Sequence, residues 1–418
     1  MSTVETPSAD PRSVLRNRQF QRIWAGGILT SMMRWLDILV LGVFTFEMTD
    51  SAAQVAIMLL VRMLPRFLFG VAVGTLADRV NRKHLWVATL VLLALVAFVL
   101  AVLIASEEIK YWQLLVLVFA TGVFWAAEFP VRRAMIADVV PAEALGRAFG
   151  TDWTTDSFNR MIGPALGGGL LITVGAEGAY FLMAGVFVAA ALVAATLVYV
   201  PRPRGAEAAS PLSDLVAGLR YVRASHLLVS VLMVTVLFNM VFPAYQTMIP
   251  VIGKEVLGAD PLRVGLLSAV EGLGAMLGAI WIASRATPPI YPRLYTYGTL
   301  FFFCGALAFS RVEAYPLALF VLFVAGFGFS AFATMQTTIL VQTTSAEMRG
   351  RVLGTLSLAI GIGPLGALQV GPLSAAVGDQ STLTVIVLEG IVLLIMVAAA
   401  RPVLRRAWRD EPSPAVTP

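Results

Sequence analysis

The stretch PAEALGRAFGT, residues 141–151, returns 204 residues later as SAEMRGRVLGT, residues 345–355. Six positions agree in register: Ala142 with Ala346, Glu143 with Glu347, Gly146 with Gly350, Arg147 with Arg351, Gly150 with Gly354 and Thr151 with Thr355. Each copy opens an apolar run, and the shift is close to half of the 418-residue chain. A similar shift lays Arg62 over Glu271. The chain reads as two related halves.

Outward from the repeat, the composition says what the halves are made of. Hydrophobic residues make up 58% and charged residues only 13% of the chain, and the mean hydropathy is +0.84. A soluble domain carries roughly 25% charged residues. Apolar runs of about 20 residues, each enough to cross a bilayer as a helix, recur along the whole length. They predict an all-α membrane protein with twelve spans near 23–46, 55–76, 84–106, 112–136, 145–174, 177–200, 225–252, 262–284, 293–311, 315–342, 350–377 and 381–400. Five regions follow: a cytoplasmic N-terminal segment 1–22, a first six-helix bundle 23–200, a linker 201–224, a second six-helix bundle 225–400 and a cytoplasmic tail 401–418.

The net charge of +5 reflects topology rather than nucleic-acid binding. Arg79, Arg82, Lys83, Arg202, Arg204, Arg220, Arg223, Arg285, Arg349 and Arg351 fall in expected inner segments, with Arg12, Arg16, Arg18, Arg22 and the tail arginines. Expected outer loops hold Lys110, Lys254, Arg263 and Arg311. This bias places both termini in the cytoplasm. The first 22 residues are polar and arginine-rich, which argues against a cleaved signal. One cysteine and two histidines point to neither a disulfide framework nor a metal site.

GTLADRVNRK, Gly74 to Lys83, lies between spans 2 and 3 and resembles the signature loop G-x-x-x-D-R-x-G-R-K/R of the major facilitator superfamily. Asn81 stands where glycine is usual; asparagine tolerates the left-handed backbone expected there. FQRIWAGGILTSMMRWLD, VRMLPRFLFG, FPVRRAMIADVVPAEALGRA and EMRGRVLGT resemble the exporter branch that contains enterobactin exporters and macrolide and multidrug efflux pumps. NRMIGPALGGGLL, residues 159–171, is similar to the antiporter motif of span 5. Gly163, Pro164, Gly167 and Gly168 match it, and Asn159 replaces its first glycine. Small residues there permit close packing and proline loosens the helix. The resemblance implies a twelve-helix fold of two pseudo-symmetric bundles and ion-coupled transport by alternating access. It also implies that Asp78 meets the start of span 11, with Arg79, Arg82 and Asp138 completing an inner charge latch.

Ten ionisable residues fall inside the expected spans: Arg34, Asp37, Arg62, Arg66, Glu128, Asp152, Asp156, Arg160, Glu271 and Glu389. Each charge at the bilayer centre costs about 2.5–3.5 kcal/mol on insertion scales, so these groups are expected to face a cavity or one another. Arg34 lies about 15 Å into span 1, at the midplane. Asp37 is expected to exchange a proton, with Arg34 or Arg66 as partner; a permanent brace is the competing reading. Asp152 and Asp156 share a helix face beside Arg160, and an internal Asp156–Arg160 pair is the alternative to a binding or proton role. Glu271, on a span that the resemblance implies lies against span 5, is a second proton candidate. Glu128 is read as a gate or as the partner of Arg132 or Arg133. Trp35, Phe124, Trp125, Phe238, Phe242, Tyr245, Phe329 and Phe332 offer apolar cavity walls.

The expected function is proton-coupled antiport exporting an amphipathic, drug- or siderophore-like small molecule. The alternatives are movement of a lipid-like or other metabolite, by uptake or flipping, and a non-transporting sensor. No phosphate loop G-x-x-x-x-G-K-[ST] and no G-x-S-x-G or H-E-x-x-H motif occurs. Neither an enzyme nor an ATPase subunit is therefore expected, and no cofactor beyond an ion gradient. The partners expected are substrate and bilayer, the chain acting as a monomer in a bacterial inner membrane. Asp78→Asn is expected to favour inward opening, read as lost labelling of cysteines introduced along the outer cavity; unchanged labelling would refute it.

Overall fold

The computed structural model describes residues 16–141, 144–199, 211–345 and 348–405. In chain order the helices are α1 (Arg18–Thr49), α2 (Ala52–Arg79), α3 (Arg82–Ala105), α4 (Tyr111–Val139), α5 (Leu145–Ala195) and α6 (Pro211–Arg223). After them come α7 (His226–Glu255), α8 (Pro261–Arg285), α9 (Tyr291–Phe309), α10 (Tyr315–Thr343), α11 (Arg349–Gly361), α12 (Gly363–Ala367), α13 (Val370–Val377) and α14 (Asp379–Ala400). Among the described residues, nine helices are long and apolar enough to cross a membrane.

Local chemistry sets the starts. The Asn17 side chain accepts the N–H groups of Gln19 and Phe20, Ser225 accepts that of Leu228, and Asp260 caps α8 just before Pro261, each satisfying donors that a helix start leaves unpaired. Asn81 corrects an expectation. Its φ of −65° and ψ of 113° are extended, not left-handed, and its side chain accepts the Lys83 N–H to cap α3. Asparagine at this site is an N-cap rather than a substitute for glycine.

The structure adds detail at three expected boundaries. The break between spans 5 and 6 is one residue, Gly175, with φ +70°. A β-carbon there would lie 2.6 Å from the Glu177 carboxylate, and only glycine adopts such a backbone without strain. Pro164, expected to loosen the helix, leaves α5 helical; the turn comes eleven residues later. Span 11, expected over 350–377, is one stretch long and apolar enough to cross a membrane, Arg351–Val377, with short turns between α11, α12 and α13 where the run carries Gly361, Gly363, Pro364 and Gly366. The expected linker 201–224 contains α6, packed on α11 and α7.

α5 is central. It packs on α1 and α3 on one side and on α8 on the other. The glycines of the NRMIGPALGGGLL stretch divide between these seams. A β-carbon at Gly163 would meet Trp35 Cβ at 2.7 Å, and one at Gly167 the Leu36 carbonyl at 3.1 Å. Gly168 faces the other way, onto Pro261 and Leu262, and Gly265 and Gly272 of α8 lie against Pro164 and Met161. Further contacts between the halves join Gly42 to Pro250, Ala53 to Gly371 and Glu47 to Lys254. All of these lie toward the Thr49 end of α1. Gly168→Leu would overlap the Pro261 carbonyl, and it is expected to cost about 1–3 kcal/mol as an overpacked contact, seen as a lower midpoint of thermal unfolding in detergent.

Candidate functional site

Four polar positions on the first arm of α5, Asp152, Asp156, Asn159 and Arg160, follow one another up one side of the helix. Residues spaced by three and four share a helix face. Asp152 engages α4, Asp156 and Asn159 engage α1, and Arg160 engages α8, so that together they form a ladder through the bundle.

At the foot of the ladder Asp152 is paired with Arg132 of α4, and Arg133 Nε lies 3.7 Å from its other oxygen. Arg132 also reaches Glu128 one turn away at 3.0 Å, and Thr30 of α1 donates to the same Glu128 oxygen at 3.1 Å. Glu128, Arg132 and Asp152 are all buried. Gly27 makes room for the guanidinium, since a β-carbon there would sit 2.5 Å from Arg132 Nη1. The Glu128–Arg132 pair was one of two readings open from spacing, and it is the one observed.

One turn along, Asp156 accepts from Ser31 and Arg34, both on α1. Asn159 donates to the Ile28 carbonyl at 3.0 Å. Arg160 crosses to the other half and donates to Glu271 of α8 at 2.7 Å. The internal Asp156–Arg160 pair is thus not formed: both side chains point off α5, toward α1 and α8. Aromatic rings surround the two arginines. The Arg160 guanidinium is 3.7 Å from the Phe329 centroid and 5.4 Å from that of Trp35. Arg34 is 5.4 Å from Trp35 and 5.8 Å from Trp125. Trp35 therefore lies between two ion pairs, at distances suited to cation–π attraction.

Asp37 is corrected in its partners. Spacing suggested Arg34 or Arg66, but Arg34 is taken by Asp156. The partners of Asp37 are Arg62 of α2 and Tyr180 of the second arm of α5, whose hydroxyl donates at 3.0 Å. The Asp37 and Arg62 side chains are each 9% exposed, so this pair is sealed among three helices. Arg66 is one turn beyond Arg62 and has interactions of its own. Tyr180 carried no sequence signal; Arg62 did, because depth alone cannot separate it from Arg66.

The aromatic walls are corrected in part. Phe238, Tyr245 and Phe332 are buried in a stack with Phe302, Phe303 and Tyr295. Phe238 and Phe332 have ring centroids 3.7 Å apart. These rings pack together as core; Trp35, Phe242 and Phe329 ring Arg160, and Tyr245 lies within electrostatic reach of Arg160 and Glu271. The cleft beside Arg160 and Glu271 is also lined by Trp35, Leu59, Gln246 and Pro250 and measures about 50 Å³. That is room for a few waters rather than for a drug-sized guest.

At the far end Arg82 pairs with Asp138 at 2.5 Å, and Tyr199 donates to the same carboxylate. Lys83 follows in the first turn of α3. Gly74, Asp78 and Arg79 close α2, and their side chains, with Glu347 at the start of span 11, lie outside the described residues.

The sequence profile of the Major Facilitator Superfamily matches residues 23–368. The chain is 27% identical over 379 residues to the multidrug efflux pump Tap of Mycolicibacterium fortuitum, covering 85% of this chain and 88% of that protein. It is 22% identical over 360 residues to macrolide efflux protein A of Streptococcus pyogenes, covering 82% and 87%. Among solved structures, an inward-facing, unoccupied bacterial homologue of the human lysosomal transporter Spinster superposes with a TM-score of 0.73 at 17% identity, covering 94% of this chain and 99% of that one. That likeness concerns the fold.

Asp37→Ala leaves Arg62 buried and unpaired. A loss of about 3–5 kcal/mol of stability is expected, against about 0.5–1.5 kcal/mol or somewhat more for Tyr180→Phe, both read from thermal unfolding. Equal, small effects would mean that the pair is solvated in the working protein.

Proposed function

We propose an exporter, starting from a fact: this chain belongs to the Major Facilitator Superfamily and is a transporter, not an enzyme. Our reading has twelve crossings in two six-helix halves, residues 23–200 and 225–400, joined by 201–224, with residues 1–22 and 401–418 in the cytoplasm of a bacterial cell bounded by its inner membrane. The 42-residue segment Thr154–Ala195 spans about 63 Å at 1.5 Å per residue, twice a bilayer core, and it turns at Gly175. Dividing it there and adding α2 and α9 brings the nine strongly apolar helices to twelve.

Export is supported by the efflux proteins named above and by the GPxxGG pattern on α5. Proton coupling is our inference from one observation: the Arg160–Glu271 pair joins the two halves, and it lines the cleft at the end where they meet. With the termini inside, this end would face out, and we read its contacts as a closed outer gate. Opening outward must part α5 from α8 and separate the pair. Glu271 then meets external water and takes a proton while substrate leaves. Re-forming the pair requires a charged carboxylate, so the proton must depart as the outer end closes again. Asp156, one turn away and tied to Arg34, is the second relay candidate. Asp37, locked by Arg62 and Tyr180, is assigned to bracing rather than to proton exchange. The substrate is amphipathic, held by the aromatic rings around Trp35, and the unit is a monomer.

The test uses proteoliposomes with an imposed pH gradient and a panel of lipophilic dyes. Wild type should accumulate dye, while Glu271→Gln should bind dye yet show no gradient-driven accumulation, and Asp156→Asn should be impaired. Accumulation untouched in both variants would remove the proton step from α5.

A further inference from the structure

The helix α6 falls in a stretch that reads from sequence as a polar linker, and the transport cycle above does not use it. Its two faces differ. One is packed: a β-carbon at Gly218 would lie 2.5 Å from the Arg351 carbonyl oxygen and 3.1 Å from Thr355 of α11. On the same side Tyr221 and Val222 are buried, and the Tyr221 hydroxyl accepts the Ser345 N–H at 3.3 Å. The other face carries Ser213, Val216, Leu219, Arg220 and Arg223, all exposed. Steps of three and four place these residues in one stripe. Val216 is 48% and Leu219 42% exposed, so two large aliphatics stand beside two arginines.

Water is a poor neighbour for that stripe, and so is the centre of a bilayer. The boundary between them suits it: aliphatics reach the acyl chains while guanidinium groups stay among phosphates. We propose that α6 lies in the cytoplasmic headgroup layer and binds anionic phospholipid through Arg220 and Arg223, with Val216 and Leu219 anchored below. Charge supports this occupant, since residues 201–224 hold Arg202, Arg204, Arg220 and Arg223 against Glu207 and Asp214. Arg349, exposed in the first turn of α11, adds to the same side. Position supports it too, because α7 starts at His226, just beyond the two arginines. Through Gly218 the helix is fixed to the first turns of α11, and α11 also touches α2 across the halves. The inference rests on the membrane-spanning reading and the cytoplasmic linker of the proposal above, not on substrate, direction or coupling.

The test places an environment-sensitive NBD label at Val216→Cys, and separately at Leu219→Cys, in full-length protein with Cys304→Ser. The protein is reconstituted in vesicles of phosphatidylcholine alone or with phosphatidylglycerol. Expected are blue-shifted emission, quenching by doxyl lipid but not by iodide, and a stronger response with phosphatidylglycerol that millimolar inorganic phosphate does not reverse. Each arginine near an anionic surface strengthens attachment roughly fivefold, so Arg220→Gln with Arg223→Gln should remove most of the phosphatidylglycerol response. Iodide-accessible labels at both sites in both vesicles would overturn the proposal. So would a phosphatidylglycerol response unchanged in the double variant, or label self-quenching that grows with protein density, which would identify a second copy as the occupant.

Discussion

A charge inside a bilayer must find its counter-charge within the protein, and here a single helix serves most of that demand. α5 sends Asp152 to α4, Asp156 to α1 and Arg160 to α8, so the order of polar groups along it ties three other helices in register. Breaking the enclosed Asp152–Arg132 rung leaves an ion without solvent, which is why burial makes that pair costly to lose even where forming it gains little. Small residues do the complementary work. Gly163 and Gly167 bring α1 close enough for the Arg34 and Ser31 contacts, while Gly168, Gly265 and Gly272 bring α8 close enough for Arg160 to reach Glu271.

The rungs differ in kind. Asp152, Arg132 and Glu128 belong to one half and are enclosed, so nothing in a rocking motion of the halves need disturb them. Arg160 and Glu271 belong to different halves, and any such motion at the Thr49 end must stretch that bond. Asp37 and Arg62 join α1 to α2, and Tyr180 adds the second arm of α5; this knot belongs to one half and holds it together. Position relative to the seam, more than burial, separates a brace from a moving part.

Much of this was legible in the residues. The repeat at 141–151 and 345–355 pointed to two related halves, the apolar runs pointed to membrane helices, and the i,i+4 spacing of Asp152, Asp156 and Arg160 placed them on one face. The family resemblance implied that the span carrying Glu271 lies against α5. Partner choice was less legible. Asp37 stands at comparable depth to Arg62 and Arg66, and only the rotation of α2 about its axis decides between them. Tyr180 is 143 residues from Asp37, and its contact depends on the angle at which the chain re-enters after Gly175. The stacked rings of Phe238 and Tyr245 were misread for a similar reason: aromatic residues in a membrane helix look alike whether they face a cavity or a neighbouring helix.

That turn has a consequence for how the chain tolerates change in length. With one residue joining the two arms, any insertion or deletion near Gly175 rotates the whole second arm by about 100° per residue. Tyr180 would swing away from Asp37, and the face of the second arm now packed on α3 would turn toward lipid. Loops elsewhere, such as the one between α3 and α4, can absorb an added residue as slack. The corner at Gly175 has none, so it fixes the phase of everything that follows it in the first half.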